Sequence, residues 1–116
     1  MSGLEIFDDP AAFRRRVEPF LLAHEAENNL LFGILSQVQS GRYTDHVLAA
    51  LVSDGGGVRA AALMTPPYNA ILSLAPPEAM AELATSLHAA GIRPPGVNGE
   101  IAQAEAFAGR WRELTR

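Results

Sequence analysis

Two apolar runs, residues 46–53 and 58–64, flank the tetrapeptide Asp54-Gly55-Gly56-Gly57, and this arrangement constrains the fold more than any other stretch of the chain. Both runs are rich in valine, leucine and alanine, and the turn between them predicts a β-hairpin. No helix and no P-loop lysine follow the glycines, so the cluster reads as a hairpin turn and not as a phosphate cradle. The hairpin ends at Thr65-Pro66-Pro67-Tyr68-Asn69, where two prolines have no amide to donate to a sheet ladder. Residues 70–74 then read as a further strand.

Helical periodicity surrounds these strands. Residues 4–7 form a short, partly alternating strand, and Asp8-Asp9-Pro10 supplies a helix cap with proline in the first turn. Phe13, Val17, Phe20 and Leu21 follow at helical spacing, while Pro19 removes an amide donor and predicts a kink or break near Glu18. Leu30, Leu31, Ile34, Leu35 and Val38 mark a second amphipathic helix, capped by Asn28 or Asn29 and closing near Ser40-Gly41. Pro76-Pro77-Glu78 opens a third helix with Met80, Leu83, Ala84 and Leu87 on its apolar stripe and Gly91 at its stop. After a turn-rich stretch with a short strand around Val97, residues 101–114 form a last helix with Ala104, Phe107, Ala108 and Trp111 on one face. There is no internal repeat and no linker, so residues 1–116 are expected to be one domain.

Composition narrows the function classes. A chain of 116 residues buries about 65% of its unfolded surface. The hydrophobic content of 48% and the charged content of 19% describe a packed chain rather than a disordered tail. Nine basic and thirteen acidic residues give a net charge of −4, which disfavours a nucleic-acid partner. Arg14-Arg15-Arg16 fans around its helix and reads as a solvated face. No cysteine is present, which removes disulfides, thiolate metal sites and cysteine nucleophiles. No apolar run approaches a membrane span, and residues 1–10 lack the pattern of a signal peptide, so a cytoplasmic location is expected.

The titratable and nucleophilic side chains form no familiar constellation. His24, His46 and His88 stand apart, with no metal-ligand spacing. His24, Glu25 and Glu27 cluster near a helix junction and read as solvated helix-end residues. Ser36, Ser53, Ser73 and Ser86 lack the glycine-flanked context of a nucleophile elbow. No residue is therefore assigned to catalysis. Phe107 and Trp111 read as core. Thr65, Pro66, Pro67, Tyr68 and Asn69 are the candidate contact residues, because a rigid loop carrying a tyrosine offers an amphipathic surface; the alternative is a loop that merely joins two strands.

The run Pro95-Gly96-Val97-Asn98-Gly99-Glu100, followed by Ala104, Phe107, Ala108, Trp111 and Thr115, resembles the close of the N-terminal half in two-part GNAT-superfamily N-acetyltransferases. Asn28-Asn29-Leu30 and Met64-Thr65-Pro66-Pro67 also look like positions of that family, so the resemblance covers essentially the whole chain. It implies an α/β fold, GNAT-like but partial, with a mixed, mainly antiparallel sheet flanked by helices. It implies a parent activity, transfer of an acetyl group from acetyl-CoA to an amine, with the coenzyme site in a C-terminal catalytic half. In catalytic GNAT domains a glycine-rich turn after the fourth strand cradles the coenzyme pyrophosphate. The matching residues here, Ser73-Leu74-Ala75-Pro76-Pro77-Glu78-Ala79, contain no glycine, two prolines and an acid in the first helical turn. The expectation is a chain that holds no cofactor itself and pairs with an acetyl-CoA-binding half, with no metal, membrane or nucleic-acid partner. Two rivals stand beside it: a minimal acetyltransferase with an atypical coenzyme loop, and an interaction module that closes an open sheet edge by forming a homodimer.

Overall fold

The computed structural model describes residues 3–42 and 48–116. In chain order the elements are β1 (Gly3–Phe7), α1 (Pro10–Leu22), α2 (Asn29–Gln39), β2 (Leu48–Asp54), β3 (Gly57–Met64), β4 (Ala70–Leu72), α3 (Pro77–Ala89), β5 (Val97–Asn98) and α4 (Ile101–Thr115). The five strands form one mixed sheet in the order β1-β2-β3-β4-β5. The first three pairings are antiparallel; β5 joins β4 in parallel, with Ala70 opposite Val97 and Ile71 opposite Asn98. This matches the element order and the mixed, mainly antiparallel sheet read from the sequence.

The central hairpin is buried on both faces, which is why its strands read as continuous apolar runs rather than as an alternation. Ala49, Leu51, Ala61, Leu63 and Ile71 pack on Phe13, Val17 and Leu21 of α1 and on Leu31, Leu35 and Val38 of α2. On the opposite face Ala50, Val52, Ala60, Ala62 and Leu72 pack on Met80, Leu83 and Leu87 of α3 and on Phe107 of α4. Alanines at five of these strand positions leave room for helices on both sides. The turn is built as its sequence requires: Gly57 takes φ +116, a region costly for any residue with a Cβ, and Asp54 Oδ1 accepts the Gly56 amide at 2.7 Å. The start of the first apolar run, His46 and Val47, lies outside the described residues.

Two expectations are corrected. Helix α1 does not break near Glu18 but continues through Pro19 to Leu22. Phe13, Val17 and Leu21 recur every four residues and are fully buried, so docking of the last turn outweighs the single ladder bond that proline removes at position 19. Its start is as expected, with Asp9 accepting the Ala11 amide at 3.0 Å and Pro10 beginning the helix. Strand β4 is shorter than expected, ending at Leu72. Ser73 still bonds Ala61 through its amide at 2.9 Å, but the Leu74 amide leaves the ladder for a side chain 46 residues away.

Candidate functional site

The stretch that leaves β4 is held from both faces of the sheet. From the α1/α2 side, Asn28 is 2% exposed; its Oδ1 accepts the Leu74 amide at 2.7 Å, and its Nδ2 donates to the Leu21 carbonyl at 3.1 Å. One amide side chain thus closes the end of α1 and turns the chain out of β4. Asn28 sits at the N-cap position of α2, as the sequence predicts, yet makes no side-chain capping bond to that helix. From the α4 side, Gln103 is 6% exposed and donates from Nε2 to the Ala75 carbonyl at 2.7 Å. Its Oε1 is buried with no hydrogen-bond partner.

These contacts occupy four of the backbone amides that a phosphate would need; the Ala75 and Glu78 amides are not among them. The Ser73 amide binds Ala61, and both the Ala79 and Met80 amides bind the Pro76 carbonyl at 3.0 and 3.1 Å. The Leu74 amide belongs to Asn28. Pro76 and Pro77 have no amide hydrogen, and Glu78 sets a carboxylate in the first turn of α3. The Ser73 hydroxyl is buried and accepts the Ala61 amide at 3.0 Å.

The predicted contact residues lie beside this end of the sheet. Thr65 is buried, Pro66 and Pro67 are exposed across a cis peptide, and the Tyr68 amide closes the turn on the Thr65 carbonyl at 3.0 Å. Asn69 reaches Asn98 of β5, Nδ2 to Oδ1 at 3.4 Å, and the Ala70 amide binds the Gly96 carbonyl at 3.0 Å. A Cβ at Gly96 would stand 2.7 Å from Asn69 Oδ1, so any larger residue there would push the Asn69 side chain aside. The loop is therefore fastened to β5, with Tyr68 62% exposed.

Thr65, Tyr68 and Asn69 form one wall of a depression of about 250 Å³, opposite Leu30 and Ile34 of α2 and floored by Ile71. A second depression of about 380 Å³ shares Leu30, Ile71 and Asn98 and runs on to Glu27, Val97 and Glu100. The two adjoin at these shared residues as a groove beside β5, lined mostly by apolar side chains with Glu27 and Glu100 among them. Leu30 is 52% exposed and Ile101, at the start of α4, is 76% exposed.

Other residues singled out by sequence do not converge. His24 and Glu25 are exposed in the segment joining α1 and α2. Glu27, from the same segment, reaches the groove. His88 contacts Trp111 edge-on, with ring centroids 5.3 Å apart. Ser53 donates to Glu5 at 2.9 Å, and Ser36 lies 3.4 Å from Arg14. His46 lies outside the described residues. Arg14 and Arg16 pair with Glu18 and Glu5, while Arg15 is exposed, as a solvated face requires. Among the described residues no three of His, Cys, Asp and Glu are grouped to hold a metal, and no helix is long and apolar enough to cross a membrane.

Phe107 is 3% exposed and belongs to the core, whereas Trp111 is only partly buried and stacks on it, with ring centroids 5.8 Å apart. Sequence reasoning missed Gln103 entirely and gave Asn28 a different task. Comparisons with protein-family models, with curated proteins and with solved structures found no match.

Proposed function

We propose that this chain is the GNAT-like N-terminal half of a two-part N-acetyltransferase, which supports a catalytic half and performs no acetyl transfer itself. The observation that carries this reading is the closed end of β4. A coenzyme pyrophosphate needs several backbone amides converging at a helix N-terminus. Here the amides of Ser73, Leu74, Ala79 and Met80 already have acceptors within the chain, and two prolines and an acid fill the intervening turn. The order of helices and strands supports the same reading, since it follows the first two-thirds of a GNAT domain. The groove beside β5, walled by Thr65, Tyr68 and Asn69, is the surface we assign to the partner half, and acetyl-CoA is the cofactor of that half.

A thermal melt of the purified chain with excess acetyl-CoA tests the proposal. Binding at about 100 times Kd adds about 2.7 kcal/mol, a rise of roughly 10 °C for a domain of this size. The reading requires no shift at millimolar coenzyme; a saturable rise would support the minimal acetyltransferase instead.

A second reading is favoured by the sheet edges. Strand β1 ends the sheet on one side, with Ile6 48% exposed, and an uncovered edge is a template for a second copy. Sedimentation velocity separates the cases: a concentration-dependent dimer supports self-association, and a monomer at the highest soluble concentration refutes it.

A further inference from the structure

Between the segment leading into β5 and the second half of α4 lies a cleft of about 220 Å³ that plays no part in the preceding proposal. Pro94, Pro95, Val97, Phe107 and Trp111 give it apolar walls, and Arg112 stands at its border. Its size suits one aromatic ring with a short side chain: a dry apolar cavity of about 150 Å³ already holds benzene, whereas drug-sized ligands occupy about 300 Å³ or more.

The aromatic wall is supported from within the chain. Phe107 and Trp111 lie nearly parallel, at 9° between planes, and His88 meets Trp111 at 78°, so the indole is braced from two directions. A surface that does not have to be ordered on binding retains more of its contact energy.

Arg112 is the arginine that lines this cleft, and unlike Arg59 and Arg110 it is not tied to an acid among the described residues. Arg59 pairs with Asp54 and Glu82, and Arg110 with Glu113 and with Thr85. Arg112 makes no side-chain ion pair or hydrogen bond among the described residues. In a chain of net charge −4, a guanidinium without a carboxylate partner at the mouth of an apolar cleft is complementary to an anion. Its planar fork suits a carboxylate in particular.

We propose that this cleft binds a small aryl carboxylate, with the ring among Pro95, Phe107 and Trp111 and the carboxylate on Arg112. Trp111 is the single tryptophan of the chain, so its fluorescence reports the site without any label. The probes are phenylacetate and its neutral isostere phenylacetamide, titrated against the intact chain, with amide-resolved NMR to locate the contact.

The expected result is saturable quenching or enhancement by phenylacetate, binding tighter than phenylacetamide by about threefold or more, as one solvent-exposed ion pair allows. Amide shifts should concentrate at residues 94–97 and 107–112. Arg112→Gln, an exposed substitution that leaves the apolar walls intact, should lower phenylacetate affinity to that of the amide and leave the amide unchanged. Equal affinity of the two probes, shifts elsewhere in the chain, an unaltered Arg112→Gln variant, or no saturation by about 10 mM would each overturn the assignment.

Discussion

Asn28 gives the sharpest test of how this fold is held, because its sequence position and its observed contacts predict opposite outcomes for one substitution. Its buried side chain makes two bonds, a part-buried one to the Leu74 amide at 2.7 Å and a buried one to the Leu21 carbonyl at 3.1 Å. Each bond contributes about 1 kcal/mol net, and orphaning both partners adds about 1 kcal/mol more. Asn28→Ala should therefore cost about 3 kcal/mol by urea unfolding at unchanged m-value, lowering Tm by roughly 10 °C. Asn28→Asp separates a latch from a cap. Aspartate is as good an N-cap as asparagine and suits the positive end of a helix, so capping alone predicts a neutral or stabilising change. The latch predicts a loss at least as large as that of alanine, because a carboxylate would face the Leu21 carbonyl with no hydrogen to give it. A loss below about 1 kcal/mol for Asn28→Ala, or an unimpaired Asn28→Asp, would refute the latch.

Other substitutions probe the remaining contacts. Phe107→Ala should cost about 3 to 5 kcal/mol, and Trp111→Ala, only partly buried, about 1 to 3 kcal/mol; denaturant melts of the pair check the order. Gly96→Ala should cost about 1 kcal/mol or less, the displacement of the Asn69 side chain from Asn98, and that cost should vanish in an Asn69→Ala background, which a double-mutant cycle reads directly. Pro19→Ala should stabilise the chain by about 1 kcal/mol, because it restores the missing amide in α1 at an exposed position. A destabilised Pro19→Ala would mean that proline is required there for another reason.

The elements were legible because hydrophobic spacing sets them. The glycine turn at residues 54–57, the double proline before β4 and the apolar stripes of α2 and α3 each left a local signal. Pro19 misled, since the local rule for proline could not register that Leu21 would be buried against the sheet. Asn28 misled in the same way: an asparagine before an amphipathic helix reads as a cap, whereas the partner that claims its Oδ1 lies 46 residues on. Gln103 left no signal, because a glutamine in an amphipathic helix resembles any solvent-facing residue, and only the approach of α4 to Ala75 buries it. The groove was half legible. The prolines and Tyr68 marked one wall, but Leu30 and Ile34 of the opposite wall read only as members of a helical stripe.

The proposal that this chain supports acetyl transfer without holding the coenzyme stands on the amides at the end of β4. An amide-resolved NMR titration with acetyl-CoA observes those groups individually. The account predicts no saturable shift at Ser73, Leu74, Ala79 or Met80 up to millimolar coenzyme. Saturable shifts centred on these four amides would contradict it, placing a pyrophosphate where the latch is drawn closed.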